Sequence, residues 1–277
     1  MKIPVTAGGL CRKLGMSRQN YYKSRRERQR READSGLTGQ LVRAERAVQP
    51  RLGGRKLFHI PGPKLAEAGV TIGWDRFFEV LKEKGLPLDR LPGIPRATDS
   101  RHSLPVFHNL VRDMELAGPD QARAADITCI RTGEGFLYLS LLTDLWSRKI
   151  VGFHAGDTLE SEGAVRALES ALSELPKGMF PVHHSDRGCQ YCSRRYVEKL
   201  RDHGLPASMT EDMHCYENAR TERLNGILKQ EYSLICPFRS KKQALAAIGE
   251  AVSLYNTRRP HLSLGYETPE TVHRRAA

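Results

Sequence analysis

Residues 180–191 read FPVHHSDRGCQY, and residues 217–231 read ENARTERLNGILKQE. The first segment begins with a short apolar stretch that leads to the carboxylate of Asp186. An Arg-Gly turn signal follows at once, so the pattern predicts that Asp186 stands at the end of a strand. The second segment starts with residues that cap helices and continues with good helix formers, so it predicts a helix.

The predicted helix presents two different faces. At about 100° per residue, the apolar side chains fall on one side, where they can pack. These are Leu224, Ile227 and Leu228. The other face carries Asn218, Glu222, Asn225, Gly226 and Lys229. The polar face of the helix therefore presents one carboxylate, one lysine and two amides to whatever it contacts. The carboxylates of Asp186 and Glu222 are separated by 35 residues.

A third carboxylate lies upstream. Residues 124–130 read AADITCI, an alternation typical of a strand, with Asp126 directed to one face. Mg²⁺ prefers oxygen ligands and takes one or two carboxylates together with substrate phosphate oxygens. Two such ions about 3.5–4 Å apart can clamp the attacking and leaving oxygens of a phosphoryl displacement. Asp126, Asp186 and Glu222 are therefore candidate ligands of a pair of divalent ions.

Four ordered motifs resemble those of one protein family. They are Asp126-Ile127-Thr128, His184-Ser185-Asp186-Arg187-Gly188, Glu217-Asn218-Ala219 with Glu222, and Tyr255-Asn256 with Arg259-Pro260-His261 and Leu264-Gly265-Tyr266. Over residues 52–271 the chain resembles the second-frame transposases of bacterial insertion sequences, which share the catalytic core of retroviral integrases. The resemblance implies a ribonuclease H-like fold and an Asp-Asp-Glu triad, here Asp126, Asp186 and Glu222. It also implies two Mg²⁺ ions, for which Mn²⁺ can substitute.

The same resemblance implies a pathway and partners. One element end is cleaved and joined to the other through a circular intermediate, which is then inserted into target DNA. The DNA partners are the terminal inverted repeats and the target, and synapsis implies a homo-oligomer. A frameshift commonly fuses this frame to an upstream one that supplies end recognition. Two alternatives stay open: a DNA-binding regulator or relic with spectator carboxylates, and a metal nuclease that cuts without joining.

The fold class predicted for the chain is α/β. Residues 119–277 are interpreted as an integrase catalytic core, with a five-stranded mixed sheet, flanking helices, a C-terminal helix and a tail. After the strand of Asp126, strands are predicted at residues 136–144, 150–154, 181–185 and 206–210. Besides the helix of Glu222, helices are predicted at residues 161–175, 193–204 and 241–255.

Small all-α modules are predicted to precede the core. Residues 1–34 are interpreted as a basic arm that forms part of a helix-turn-helix, with a helix at 10–14 and a second from Arg18. Residues 38–86 are interpreted as a helix-turn-helix-like module. Residues 87–118 are a proline-punctuated linker, with a short helix predicted at 109–115.

Positive charge is concentrated at the N-terminal end. The chain has a formal net charge of +12 and a pI near 9.6. Residues 1–60 contain 15 lysines and arginines against four acidic residues. Such an end is typical of nucleic-acid binding, and a merely solvated basic face is the alternative. The candidate DNA-binding residues are Arg18, Arg25, Arg26, Arg55, Lys56, Arg76 and, near the carboxylates, Lys229.

Two positions depart from the family pattern. Pro61 and Pro63 stand where the family runs a continuous helix. Proline costs about 3 kcal/mol inside a helix, so a break or a damaged module is expected there. Arg123 stands three residues before Asp126, where relatives carry a tryptophan, so a packing anchor is expected to be missing. Both departures are compatible with a weakly active copy.

Other chemistry-bearing residues compete with the triad. Asp144 precedes a turn, Asp157 lies in the core, Glu217 suits a helix start and Glu231 falls on the opposite helix face. A zinc cluster is a further alternative, since Cys-x-x-Cys is a ligand spacing. Its members would be His183, His184, Cys189, Cys192, His214 and Cys215. The histidine and cysteine of the second pair are adjacent rather than spaced, which disfavours zinc.

The sequence contains no apolar run long enough to span a membrane and no secretory signal at its N-terminus. Six cysteines in a chain of 277 residues do not indicate a disulfide framework. We therefore expect a reduced, cytoplasmic bacterial protein that is associated with the nucleoid.

Overall fold

The computed structural model describes residues 6–88, 104–211 and 219–275. The chain forms two compact units. Unit 1 consists of Met1–Val48 and Leu57–Leu88, and unit 2 consists of Gln49–Lys56 and Asp89–Ala277. No helix among the described residues combines the length and the apolarity needed to cross a membrane.

Unit 1 is helical throughout its regular structure. Its helices are α1 (Ala7–Lys13), α2 (Arg18–Val48), α3 (Gly54–His59), α4 (Gly62–Glu67) and α5 (Trp74–Glu83). The first turn of α3, up to Lys56, is assigned to unit 2. Ser17 caps α2 through a bond from the Asn20 amide to its hydroxyl. The buried core of the unit includes Val42, Leu57, Leu65, Phe77, Val80 and Leu81.

The long helix α2 runs across a boundary of the predicted division of this region. It continues through residues 34–38, where the sequence interpretation placed a boundary between an arm and a second module. Gly36 weakens a helix by about 1 kcal/mol relative to alanine. However, Ser35, Thr38 and Val42 are buried in this half of α2, which packs against α5 and thereby keeps the helix continuous.

The two prolines do break the helical path, as predicted. Pro61 stands just before α4, and Pro63 lies in its first turn, where a missing N–H costs nothing. The expected damage to the module is wrong, because Leu57 on one side of the break and Leu65 on the other are both buried.

Unit 2 is built on one five-stranded mixed sheet, which confirms the predicted fold class. Its strands are β1 (Ala122–Thr132), β2 (Gly135–Asp144), β3 (Ile150–Gly156), β4 (Val182–Ser185) and β5 (Ala207–Met209). Their order across the sheet is β3-β2-β1-β4-β5. The first three strands are antiparallel, and β4 and β5 run parallel to β1.

Helices cover both faces of the sheet. They are α6 (Ser161–Ser173), α7 (Cys189–Cys192), α8 (Arg194–Asp202), α9 (Ala219–Glu231), α10 (Lys241–Thr257) and α11 (Pro269–Arg275), with a 3-10 turn at Leu262–Leu264. One core cluster joins the sheet to α9 and α10, and includes Ile130, Leu141 and Leu228. The other joins it to α6, α7 and α8, and includes Ala125, Leu142 and Tyr196. The carboxylate of Asp126 belongs to the α9 face, since the faces alternate along β1.

Two details of this region differ from the sequence predictions. The short helix predicted at residues 109–115 is wrong: this segment forms bends and a turn, in which the side chain of Asn109 accepts from the amides of Val111 and Arg112. The four-residue helix α7 was not predicted. Most of the predicted linker, residues 89–103, lies outside the described residues.

Arg123 replaces the expected packing anchor with a buried ion pair. Only 4% of the residue is exposed, and its guanidinium donates to Asp120 Oδ1 at 3.0 and 2.5 Å and to the Ala171 carbonyl at 2.8 Å. Asp120 itself has a left-handed backbone, with φ of 57°, and its amide donates to Asp144. The position of the expected packing anchor is therefore occupied by a buried side chain whose guanidinium is hydrogen-bonded.

The C-terminal signature docks onto the core, a role that its sequence left open. The side-chain amide of Asn256 makes two 2.9 Å bonds with the backbone of Ile150, in the manner of a neighbouring strand. Arg259 is buried and donates to both carboxylate oxygens of Glu231 at the end of α9, at 2.8 and 3.0 Å. This segment therefore fixes α9 to the rest of unit 2.

Candidate active site

Asp126 lies in the middle of β1 beneath α9. The residue is 8% exposed, and its Oδ2 accepts a 2.7 Å bond from Asn225 Nδ2 on α9. Its Oδ1 accepts from the amide of Ile127 at 2.9 Å. These two bonds fix the orientation of the carboxylate within the sheet, as the alternating strand pattern predicted.

Asp186 directly follows β4, as the turn signal predicted. Its Oδ1 accepts a 2.9 Å bond from the amide of Gly188. A Cβ added at Gly188 would stand 2.9 Å from that same oxygen, so a larger residue would displace the carboxylate. Since β4 pairs with β1, Asp186 stands at the end of the strand that neighbours the strand of Asp126.

Glu222 lies in the first turn of α9 and is exposed. The helix face that it shares with Asn225 and Lys229 turns towards Asp126, while Leu224 and Leu228 are buried in the core. The predicted faces of this helix are therefore confirmed. Lys229 is only 7% exposed and lies within electrostatic range of Asp126 and Cys129.

The electrostatics of the site favour a cation. Burial, followed by the charge of Asp186, raises the pKa of Asp126 to about 7. Its two hydrogen bonds lower this pKa, and the charge of Glu222 raises it by a smaller amount. Burial also raises the pKa of Asp186, and the charge of Glu222 adds to this. Burial lowers the pKa of Lys229, and the charges of Cys129 and Asp126 oppose this effect.

The donor set fits a hard divalent cation. It consists of the carboxylates of Asp126 and Asp186 together with Asn225 Oδ1, a buried amide oxygen without a hydrogen-bond partner. All are oxygens, the ligands that Mg²⁺ selects. Within residues 6–88, 104–211 and 219–275, no three His, Cys, Asp or Glu side chains are arranged to hold a metal ion by themselves. Two carboxylates still leave room for the phosphate oxygens that usually complete such a site.

Tyr191 on α7 is part of this environment, although no sequence pattern pointed to it. Its hydroxyl is buried without a hydrogen-bond partner. Burial raises its pKa well above the usual range, and the charges of Tyr196, Asp126 and Asp186 add to the effect. Tyr191 therefore lies close enough to both aspartates to sense their charge.

The competing carboxylates have structural roles where they are described. Asp144 accepts bonds from Ser147 and from the Asp120 amide, so it satisfies a turn as expected. Glu231 binds Arg259, and Asp157 forms an exposed ion pair with Lys241. Glu217 lies outside the described residues.

The alternative zinc cluster does not form among its described members. His183 Nε2 bonds the Tyr196 hydroxyl at 3.0 Å, and His184 Nδ1 bonds the Ser208 hydroxyl at 2.9 Å. Cys192 is buried against Met209, whereas Cys189 is exposed. The other two candidate ligands, His214 and Cys215, lie outside the described residues.

The candidate DNA-binding residues fall into two groups. Four of them are exposed, namely Arg18, Arg25 and Arg26 on α2 and Arg55 on α3. Lys56 instead forms an ion pair with Glu231, and Arg76 pairs with Glu79 and Glu83. These last two cations are therefore already neutralised within the protein.

Comparison with known proteins assigns the family. Residues 117–215 and residues 203–269 match two families that are both described as Integrase core domain. The chain is 33% identical over 278 residues to the insertion element IS600 uncharacterized 31 kDa protein of Shigella sonnei, with 97% of this chain and 100% of that protein covered. It is 31% identical over 272 residues to transposase InsF for insertion sequence IS3A of Escherichia coli (strain K12), with 94% and 91% covered. This chain belongs to the insertion-sequence transposases with an integrase core.

The fold of this transposase agrees with that assignment. A solved structure of the simian T-cell lymphotropic virus intasome, in complex with PP2A regulatory subunit B56 gamma, is similar with a TM-score of 0.50. The match covers 80% of this chain and 70% of that one at 17% identity. Its family membership makes the protein a polynucleotidyl transferase of the transposase and integrase class that acts on DNA.

Proposed function

We propose that this transposase cleaves and joins DNA strands with an Asp-Asp-Glu triad formed by Asp126, Asp186 and Glu222. The observation that carries the proposal is the pair of carboxylates formed by buried Asp126 and half-buried Asp186. Burial raises the pKa of both, the charge of Asp186 adds to the effect on Asp126, and the charge of Glu222 adds to the effect on Asp186. Burying such charges without a partner is costly, so a group that brings positive charge is expected there. We further propose that two Mg²⁺ ions occupy the site and that Mn²⁺ can replace them.

When bound, such ions neutralise phosphate charge and supply an activated oxygen nucleophile. The chain's own residues do the positioning. Asn225 donates a hydrogen bond to one oxygen of Asp126, and the Gly188 amide donates to one oxygen of Asp186. These bonds fix the orientation of the two carboxylates that would bind the metal ions. Glu222 is exposed at the start of α9, where it meets the DNA substrate. Lys229 binds a DNA phosphate that lies against Asp126.

The exposed part of α2 is proposed to bind DNA through phosphates. Residues 22–33 are exposed and include six lysines or arginines against two glutamates. Arg18, Arg25 and Arg26 are the members of the predicted set that are exposed on α2, and Arg55, which belongs to unit 2, is exposed separately. Lys56 and Arg76 are left out of this surface because their charges are paired.

The remaining family properties are proposals for this chain. Its substrates are the terminal inverted repeats of its own element and a target DNA. It assembles as a homo-oligomer when two ends are brought together. An upstream-frame protein, free or fused by frameshift, supplies end recognition, and the reaction takes place on nucleoid DNA in the bacterial cytoplasm.

Labelled duplexes of the inverted repeats that flank the gene provide the test. Purified protein is incubated with them in Mg²⁺ or Mn²⁺, and nicked and joined products are scored for the wild type and for Glu222→Gln. The matched control is Glu250→Gln, which changes an exposed glutamate on α10. We expect joined products from the wild type and the control, and a loss of at least 100-fold in Glu222→Gln.

Each other result rejects a specific part of the proposal. Equal products from Glu222→Gln and the wild type would remove Glu222 from the triad. Nicks without joining, also with the fused upstream frame present, would favour the metal nuclease. DNA binding with neither product under any of these conditions would indicate a regulator or relic.

A further inference from the structure

Two cysteines stand at the two ends of the four-residue helix α7, shortly after Asp186. Cys189 is the first residue of the helix and is exposed, whereas Cys192 is the last and is only 1% exposed. Both thiols are free in the structure. The two histidines of β4 that could complete a zinc site with them are bonded instead to Tyr196 and Ser208. The Cys-x-x-Cys spacing is therefore left without a role in the site described above.

The helix holds the two side chains at neighbouring positions. Residues three apart in a helix keep their Cβ atoms about 5–6 Å apart. A disulfide needs a Cβ separation of about 3.5–4.5 Å, so its closure draws the two ends of α7 together by about 1–2 Å. Burial raises the pKa of Cys192 to about 11, and the charges of Asp186 and Cys189 add to the effect. The exposed thiol of Cys189 is therefore the one that meets an oxidant first, with Cys192 beside it as the resolving thiol.

The C-terminal end of α7 is held in place, so the movement on closure falls on its N-terminal end. Cys192 packs against Met209, with 3.8 Å between the two sulfur atoms. The next residue, Ser193, caps α8, and its hydroxyl donates to the Gln190 carbonyl at 2.7 Å. Cys189, at the other end of the helix, is exposed to solvent.

The N-terminal end of α7 is joined to the carboxylate of Asp186. Gly188 directly precedes Cys189. Its carbonyl accepts from the amides of Tyr191 and Cys192 at 3.0 and 3.2 Å, and its own amide donates to Asp186 Oδ1 at 2.9 Å. Drawing Cys189 towards Cys192 therefore displaces the glycine whose amide orients the carboxylate of Asp186.

We propose that Cys189 and Cys192 form an oxidative modification site, and that their disulfide weakens metal binding at Asp186. Hydrogen peroxide converts the Cys189 thiol to a sulfenic acid and is itself reduced to water. The Cys192 sulfur then attacks the Cys189 sulfur, the S–S bond forms, and the sulfenic hydroxyl leaves as a second water with the proton of Cys192. In a reducing compartment such a disulfide is transient and typical of redox sensing. The effect on the metal rests on the proposed function, which places a divalent ion at Asp186, whereas the disulfide does not depend on it.

Peptide masses test the disulfide itself. The tryptic peptide of residues 188–194 contains both cysteines. After treatment of the whole protein with hydrogen peroxide, we expect this peptide to lack two hydrogens and dithiothreitol to restore them. Cys189→Ser should abolish the change, and Cys236→Ser, which removes another exposed cysteine, should not. A sulfenic or sulfinic acid at Cys189 with an unreacted Cys192, or a disulfide to any other cysteine, would overturn the assignment.

The melting temperature as a function of Mg²⁺ concentration, without DNA, tests the coupling to the metal. Loss of a hydrogen bond to a ligating carboxylate typically costs about 10–100-fold in metal affinity, so the Mg²⁺ midpoint should rise about tenfold or more on oxidation. Dithiothreitol should reverse this shift, and Cys189→Ser treated with peroxide should not show it. The Mg²⁺ requirement for nicking labelled inverted repeats should move in parallel.

The outcomes separate the two proposals. An unchanged Mg²⁺ midpoint in protein whose peptide masses show the disulfide would overturn the coupling alone. An equal shift in Cys189→Ser would assign the effect to other oxidised residues and overturn it as well. A reduced wild type that shows no response to Mg²⁺ and no nicking would instead refute the proposed function, while the peptide masses would still decide whether the disulfide forms.

Discussion

Replacing Arg123 with methionine would leave the buried carboxylate of Asp120 without its principal partner. The arginine makes two bonds to that carboxylate and one to the Ala171 carbonyl, and only 4% of it is exposed. Methionine fills a similar volume with no donor. The carboxylate would then keep only a weaker contact, with His273 Nε2 at 3.6 Å.

The expected loss follows from the burial of both partners. Removing one member of a buried ion pair costs about 3–5 kcal/mol, because an uncompensated charge stays behind. In a domain of 150–250 residues, 1 kcal/mol corresponds to about 2–4 °C in the melting temperature. We therefore expect Arg123→Met to lower the free energy of unfolding by about 3–5 kcal/mol and the melting temperature by roughly 6–20 °C.

A double-mutant cycle isolates the pair. Asp120→Asn removes the negative charge and tolerates the left-handed backbone at this position, where φ is 57°. Adding it to Arg123→Met should restore about 2 kcal/mol, as measured by urea unfolding monitored by circular dichroism. Arg201→Met, at an exposed position on α8, is the control. A loss below about 1 kcal/mol in Arg123→Met, or additive effects in the double variant, would refute the reasoning.

Three further predictions concern the core and the site. The buried imidazole of His183 has a pKa lowered to about 3 by burial and by the neighbouring cations. Stability should therefore be complete above about pH 6.5 and fall by up to about 1.4 kcal/mol per pH unit towards pH 3, a slope that His183→Gln reduces in urea titrations. Gly152→Ala should destabilise the protein by about 1–3 kcal/mol in the same assay, because its Cβ would meet the Ala171 amide at 2.6 Å. Mg²⁺ at millimolar concentration should raise the melting temperature of the wild type and leave Asp126→Asn unchanged, in a calorimetric scan without DNA.

The sequence predicted the elements of unit 2 because their patterns are local. Alternation along β1 placed Asp126 on one face, and the helical period of α9 separated Leu228 from Glu222. Strand and helix ends then needed only small corrections. Local patterns also located Asp186, since a turn signal after an apolar run marks the end of a strand whatever the tertiary context.

What the sequence did not predict depends on contacts between distant residues. From the sequence alone, Arg123 is interpreted as the loss of a packing anchor. The structure shows that it is bonded to Asp120 and to the Ala171 carbonyl. Lys56 reads as a free basic residue, but its ammonium meets Glu231, which lies 175 residues away. The continuity of α2 through Gly36 depends on packing against α5. In each case a tertiary contact overrides a local tendency.

The geometry of the candidate site depends on how α9 is held, and contacts at the middle and at the C-terminal end of that helix contribute. Near its middle, Asn225 bonds Asp126, which sets the approach of the helix to the sheet. At its C-terminal end, Glu231 is fixed by Arg259 and Lys56, while the Arg51 amide donates to the Glu231 carbonyl at 3.2 Å. Glu222 has no such bond of its own among the described residues. Its position relative to the two aspartates is therefore set by the helix, which the C-terminal signature holds through the bonds of Arg259 to Glu231.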